Sequence, residues 1–285
     1  MADSGTAPAG LHLVAVPIGA ARDITLRALD LLGTADVLAA EDTRSLRRLM
    51  DIHGVALGDR PLLAYHDHNG AQVRPRLLGL LREGRSVAYA SEAGTPLVAD
   101  PGFALAAAAR AEGIAVHAAP GASAVLAALC VGGLPTDRFL FAGFLPPKAK
   151  AREAALRELG AVPATLVLYE SPKRAAATLR AAAEVLGARE ARLCRELTKR
   201  FEEVWSGTLP ELAERAEAEA PRGEIVLLID RGAGEAVTED ALRARLGAAM
   251  AAGSLKSAVK TVGDETGAPR NVVYELALRM RDGEA

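Results

Sequence analysis

Two carboxylates, Glu92 and Asp100, lie in the stretch SEAGTPLVADPG (residues 91–102), directly behind a hydrophobic run. The eleven residues after Ser91 also hold two prolines and two glycines. A stretch so punctuated is either a plain connector or a place where main chain meets a ligand. Small residues recur at other run ends, at Gly19 and Ala20 and at Gly121 and Ala122, and would let backbone approach a ligand closely. In the second half, Glu170-Ser171 and residues 196–199, which include Lys199, add ionisable side chains at comparable positions. Cations gather at Arg44, Arg47 and Arg48, at Lys148, Lys150 and Arg152, at Lys173 and Arg174, and at Lys199 and Arg200. Each group alone reads as solvated surface, yet several flank glycine- or proline-marked loops, where a few cations suffice to hold phosphates.

Other chemistries are excluded. Residues 17–22 (PIGAAR) form no GxGxxG, and neither GxxxxGK[ST] nor GxSxG occurs. The five histidines offer no HExxH, and His66-Asp67-His68 reads as a polar surface loop rather than a metal site. A net charge of −2 argues against a protein that binds nucleic acid with its whole surface. Cys130 and Cys194 sit in apolar segments without a CxxC pairing and read as buried free thiols of a reducing compartment. The opening MADSGTAPAG lacks the marks of a signal peptide, and no apolar run reaches the roughly 20 residues of a membrane span. The expectation is a cytoplasmic protein without membrane attachment.

The elements that must position these loops follow from periodicity. Strands are expected at 11–16, 37–40, 62–65, 86–90 and 114–118, alternating with helices that begin at Asp23 as N-cap, after 41–44, and over 70–83, 102–112 and 121–131. That alternation implies a mostly parallel sheet, in which ligands bind outside the carboxyl ends of the strands. The rule selects residues 17–22, 91–101, 119–123, 170–171 and 196–199. The pattern resets near 132–137. Strands are then expected at 139–144, 166–169, 191–196, 202–206 and 224–230, with helices after 146–152, over 172–186 with Pro172 in the first turn, and over 209–219. Three more helices, 238–251, 255–265 and 270–280, end the chain, the last two separated by Gly267-Ala268-Pro269. The domains expected are 11–131, 132–232 and a helical segment 233–285.

Read in order, the loops resemble one family. LHLVAVPIGAARDITLRALDLL, LAAEDTR, SEAGTPLVADPG, PGASA, GLPTDRFLFAGFLP, LYESPKR, RELTKRFEEVWSGTL and RGEIVLLI are similar to the signature blocks of the RsmI family. These are 16S rRNA ribose 2'-O-methyltransferases of the tetrapyrrole-methylase superfamily, and the resemblance spans residues 11–230, with a weaker match in the C-terminal helices. Three positions depart from it: Glu92 stands where Asp is usual, Ala20 where Asn is common and Ala122 where Pro is common. The resemblance implies two α/β domains of tetrapyrrole-methylase type with S-adenosylmethionine (SAM) in the cleft between them, plus a small C-terminal helical segment, in a homodimer. Carried over by motif, the cofactor-binding residues are Pro17, Ile18, Gly19, Gly94, Thr95, Pro96, Leu97, Ala122, Ser123, Ala124, Tyr169, Glu170 and Thr198. The implied reaction moves the methyl group to the 2'-oxygen of a cytidine in the decoding region of 16S rRNA. Glu92, Asp100, Glu170 and Lys199 are the candidates to take the hydroxyl proton, Lys199 only with a depressed pKa. Arg44, Arg138, Lys173, Arg174, Lys199 and Arg200 are the candidates for RNA phosphates, and no metal or DNA is expected. The alternatives are a small-molecule methyltransferase of the tetrapyrrole type and a ribosome-assembly factor without turnover.

Overall fold

The apolar runs of the first half form one parallel sheet. Its strands are β1 (Gly10–Val14), β2 (Val37–Ala40), β3 (Leu62–Ala64), β4 (Ser86–Ala90) and β5 (Val116–Ala119), in the order β3-β2-β4-β1-β5. The computed structural model describes residues 6–99, 102–231, 239–266, 268 and 270–282. Every residue of β2 and β4 is buried, as a parallel sheet covered on both faces requires. One face packs Leu11, Ala39, Val87 and Tyr89 against Leu77 and Leu105; the other packs Val14, Leu38 and Ala88 against Leu32 and Leu46. The covering helices are α1 (Leu26–Thr34), α2 (Thr43–Ile52), α3 (Gly70–Arg82) and α4 (Phe103–Ala111). Asp42 caps α2 through Arg44 N–H (2.8 Å). For α1 the cap is Thr25, whose Oγ1 accepts Ala28 N–H (3.1 Å), and not Asp23. Asp23 closes a short 3-10 turn, whereas a cap needs the extended backbone that Thr25 has.

The fifth helix, α5 (Ala124–Gly132), packs on the second sheet. That sheet comprises β6 (Phe139–Phe144), β7 (Thr165–Glu170), β8 (Glu190–Arg195), β9 (Glu203–Thr208) and β10 (Ile225–Ile229). Its order is β6-β7-β10-β8-β9; β6 and β7 are parallel, and the remaining pairs are antiparallel. One face packs Leu166, Leu168 and Trp205 beneath α6 (Ala149–Gly160), α7 (Ala175–Leu186) and α8 (Leu209–Ala218). The other face packs Val167, Val226 and Leu228 against Val125 and Leu129 of α5 and Ile18 of the first half. A Cβ on Gly132 would overlap Leu228, so that glycine sets how closely α5 sits on β10. Pro172 is not in the first turn of α7: residues 172–174 form a turn, with Arg174 and Ala175 N–H both donating to Ser171 O, and the helix begins at Ala175. Cys194 is buried on β8, and burial pushes its thiol up to about 12. Cys130, expected to be buried, is exposed, because it lies on the side of α5 away from the sheet.

Both sheets belong to one compact unit, Met1–Leu159 with Ala164–Asp230; the other unit is Gly160–Pro163 with Arg231–Ala285. In the second unit α9 (Glu239–Ala252), α10 (Leu255–Thr266) and α11 (Arg270–Asp282) share their own core of Leu246, Val259, Val262, Val273 and Leu276. The expected boundary at 232–233, the start of the first of these helices at 238, and the separators Gly267 and Pro269 lie outside the described residues. No helix among the described residues is long and apolar enough to cross a membrane.

A buried histidine on the interior strand β1 makes stability depend on pH. His12 Nε2 bonds Pro8 O (2.7 Å), and its ring stacks on His117 at 5.0 Å. Burial is the main reason its pKa is lowered from 6.5, with His117 adding to the effect against the Pro8 bond. The unfolded chain therefore takes up this proton first, so the stability present above pH 6.5 is lost as pH falls through the lowered folded value. Melting temperatures should drop over that interval, and His12→Gln should flatten the drop.

Candidate functional site

The loops leaving the carboxyl ends of β1, β4 and β5 meet at one sheet edge. Val16 N–H donates to Gly94 O (2.9 Å) and Gly94 N–H to Val16 O (3.1 Å), which pins the first two loops together. Thr95 Oγ1 donates to Ala122 O (2.9 Å) and ties in the third. In the second sheet β10 runs antiparallel to β7 and β8, with Ile225 in register with both Glu170 and Arg195. The start of β10 thus shares an edge with the ends of β7 and β8. Ala20 N–H donates to Thr198 Oγ1 (3.1 Å), joining a first-sheet loop to the loop after β8. A Cβ on Gly19 would stand 2.5 Å from Lys199 Cγ and 2.6 Å from Thr198 Oγ1, so this contact admits only glycine.

A cavity of about 380 Å³ lies among these loops. Its walls include Ile18, Gly94, Thr95, Ser123, Ala124, Tyr169 and Glu170, all expected from the sequence. Pro17 and Gly19 face a second cavity of about 270 Å³, while Pro96, Leu97, Ala122 and Thr198 line neither and instead support the walls. Apart from glycines, the described residues with positive φ are Leu97 (72°), Ala99 (60°), Glu196 (52°) and Thr198 (64°). All four lie in two of the loops around the cavity. Such backbone costs of order 1–3 kcal/mol per residue and persists only where its surroundings hold it, which marks these loops as built for more than turning. At Thr198 the hold is visible, since its N–H donates to Glu202 (2.5 Å) while its hydroxyl takes Ala20.

Sequence reasoning missed Phe144, Gly223, Ile225 and Val226. Phe144 meets Tyr169 edge-on, ring centres 5.6 Å apart, and extends an aromatic wall. The other three escaped because the rule of carboxyl ends holds for parallel strands, and antiparallel β10 brings its amino end to the same edge. Gly223, at a φ of 81° just ahead of an apolar run, was the available signal.

The ionisable groups divide sharply. Glu170 is buried; its Oε1 accepts Ser171 N–H (2.8 Å) and pairs with Arg174 (3.4 Å), and its Oε2 accepts Thr178 Oγ1 (2.6 Å). Lys199 Nζ donates to Glu224 Oε2 (2.8 Å) and Glu196 Oε1 (3.1 Å). Burial alone would lower its pKa, but the hydrogen bonds and charges of Glu224 and Glu196 outweigh that and raise it. Lys199 is therefore a fixed cation, which corrects its reading as a proton acceptor. Glu196 also accepts Glu224 N–H (3.0 Å), the main reason its carboxyl is held below the usual range, with Lys199 assisting. Glu92 is exposed and lines the second cavity; its N–H donates to Glu41 Oε2 (3.1 Å), and its carboxylate has no partner among the described residues. Asp100 lies outside the described residues.

Of the cations expected to hold phosphates, Arg44, Arg138, Lys173 and Arg200 are exposed. Arg174 is committed to Leu145 O (2.7 Å) and Glu170, and Lys199 to its two glutamates, so neither is free to hold a phosphate. Among the described residues no group of three or more His, Cys, Asp or Glu could hold a metal ion.

Residues 10–213 match the family model for tetrapyrrole (corrin/porphyrin) methylases, and residues 235–281 match that for the RsmI C-terminal HTH domain. The chain is 47% identical over 277 residues to a ribosomal RNA small subunit methyltransferase I of Mesorhizobium japonicum, covering 95% of this chain and 92% of that one. It is 40% identical to the protein of the same name in Halalkalibacterium halodurans, covering 96% and 95%. Among solved structures it resembles a diphthine synthase (TM-score 0.61, 17% identity, 77% of this chain and 89% of that one). It also resembles a uroporphyrin-III C-methyltransferase from Thermus thermophilus (TM-score 0.54, 24% identity, 78% and 94%). At these identities the structural likeness shows the fold alone.

Proposed function

The chain belongs to the tetrapyrrole methylase family, and we infer that it transfers the methyl group of SAM to a ribose 2'-oxygen of 16S rRNA in the small ribosomal subunit. The observation that carries this is similarity over nearly the whole chain, C-terminal helical domain included, to small-subunit rRNA methyltransferases. The cavity fits the cofactor. It offers apolar and aromatic walls in Ile18, Tyr169 and Phe144, hydroxyls in Thr95 and Ser123, and exposed main chain at Gly223. Ile18, Gly94, Thr95, Ser123, Ala124, Tyr169, Glu170 and Gly223 would hold it, with Pro96, Leu97, Ala122 and Thr198 as their support. When bound, SAM supplies a methyl group already activated by its positively charged sulfur. The walls then exclude water and fix geometry, and holding an acceptor oxygen in line at about 3–3.5 Å does much of the work. Glu170 and Lys199 are consumed in bracing the cavity, so as the carbon–oxygen bond forms and the sulfur–carbon bond breaks, the hydroxyl proton passes to bulk solvent on the acceptor side.

The acceptor is a cytidine of the decoding region in this reading, approached over the exposed Arg44, Arg138, Lys173 and Arg200. Family membership also supports a homodimer, which light scattering on the purified protein tests, and the separate family match of residues 235–281 supports 233–285 as a domain of its own, whereas 11–131 and 132–232 lie within one compact unit. Deleting the gene should remove one 2'-O-methyl mark from 16S rRNA; an unchanged nucleoside map contradicts the proposal. The cations can be sorted by their salt response. Lys173→Met should reduce the salt slope of subunit binding by about 0.7–0.9. Lys199→Met should leave that slope unchanged and instead weaken SAM binding about 10-fold, because two charged hydrogen bonds at the cavity wall are lost.

A further inference from the structure

The second cavity, of about 270 Å³, is walled by neighbouring residues of the same two loops that wall the first. Along the first loop Ile18 lines the cofactor cavity while Pro17 and Gly19 line the other; along the second, Ala93 and Gly94 line the first while Ser91 and Glu92 line the other. The two cavities therefore flank the same pair of loops. The remaining wall is one face of α2, with Ser45, Arg48, Leu49 and Ile52 at helical spacing. Its character is specific. Ile52 is 57% exposed, an apolar side chain with nothing over it. Beside this apolar floor the cavity offers one carboxylate, Glu92, with no partner among the described residues, and one guanidinium, Arg48.

An apolar seat with one acceptor group and one donor group complements a nucleobase whose edge carries an amine beside ring and carbonyl acceptors. Cytosine has such an edge, and carboxylates accept from its N4 amine. Uracil presents a carbonyl in place of that amine. Resting on the methyltransferase reading above, we propose that this second cavity seats the acceptor nucleotide, with Glu92 accepting from the exocyclic amine of cytosine and Arg48 donating to its ring and carbonyl acceptors. Glu92 is then a specificity residue, one position along the chain from Ala93 of the cofactor cavity.

The test uses small ribosomal subunits whose target nucleotide is either cytidine or uridine, labelled SAM, and SAM affinity measured by calorimetry. The wild-type protein should favour the cytidine subunit. Glu92→Gln, which offers an amide donor to uracil O4, should lower the cytidine-to-uridine ratio of kcat/KM about 10-fold or more, with SAM affinity unchanged. Arg48→Met should raise KM for the subunit and likewise spare SAM affinity. An unchanged ratio in Glu92→Gln overturns the inference, as does an equal fall of kcat on both subunits, which would make Glu92 a proton acceptor. Loss of SAM affinity also overturns it, by placing Glu92 in the cofactor site. Absence of transfer by the wild-type protein to either subunit instead sinks the methyltransferase reading itself, and the inference with it.

Discussion

Gly94→Val should abolish useful SAM binding while both sheets stay folded. Gly94 sits at a φ of 73°, a region that is a genuine outlier for a β-branched residue. Strain of about 1–3 kcal/mol is one part of the effect. The second part is steric. A Cβ there would stand 3.3 Å from Ile18 Cγ2 and 3.7 Å from Ala122 O, so the two methyl groups beyond it must enter the cavity or displace the wall. The backbone cannot swing away freely, because Gly94 is bonded to Val16 in both directions. The combined effect is a loss of affinity of about 100-fold or more, since each 1.4 kcal/mol is a factor of ten. Calorimetry reads it directly, with circular dichroism confirming the fold. Normal affinity would remove Gly94 from the cofactor wall.

The second large effect concerns Glu170, and it is on stability. Its carboxylate is buried and engaged by Ser171 N–H, Thr178 Oγ1 and Arg174, and Arg174 in turn holds Leu145 O beyond the end of β6. Glu170→Ala strips a buried charge from its partners and leaves them unpaired. Breaking a buried pair in this way costs about 3–5 kcal/mol. Urea denaturation should show the loss, and Glu170→Gln, which keeps the shape and one acceptor, should recover part of it. If Glu170→Ala unfolds like the wild type but fails to transfer methyl groups, the residue acts in the chemistry and not in the frame.

How much of this was legible beforehand depended on the range of the interactions. The parallel sheet was plain in the sequence, since strands buried on both faces read as short apolar runs, as in VLAA and SVAYA. Their carboxyl ends then pointed to Ile18, Gly94 and Ser123 by a rule that holds for any such sheet. What could not be read depended on partners distant in the chain. Lys199 was ambiguous between base, phosphate ligand and brace until Glu224, from another strand, was placed against it. Cys130 was expected inside because α5 is apolar almost throughout, and only its docking on the second sheet decides which side meets solvent. Gly223 and Ile225 were overlooked because strand direction in the second sheet is a property of pairing and not of any one run. Glu92 stood out as a departure from the family pattern, and the structure places it on the cavity whose role is least determined by family membership.

This chain moves a methyl group from SAM to a ribose oxygen of small-subunit rRNA. The most direct measurement incubates the purified protein with labelled SAM and small subunits from a strain lacking the gene, then digests the rRNA to nucleosides. Label should appear in a single nucleoside, 2'-O-methylcytidine, and transfer should decline steeply as salt is raised. Label on a base, label on a porphyrinoid with none on RNA, or subunit binding with no transfer would contradict it.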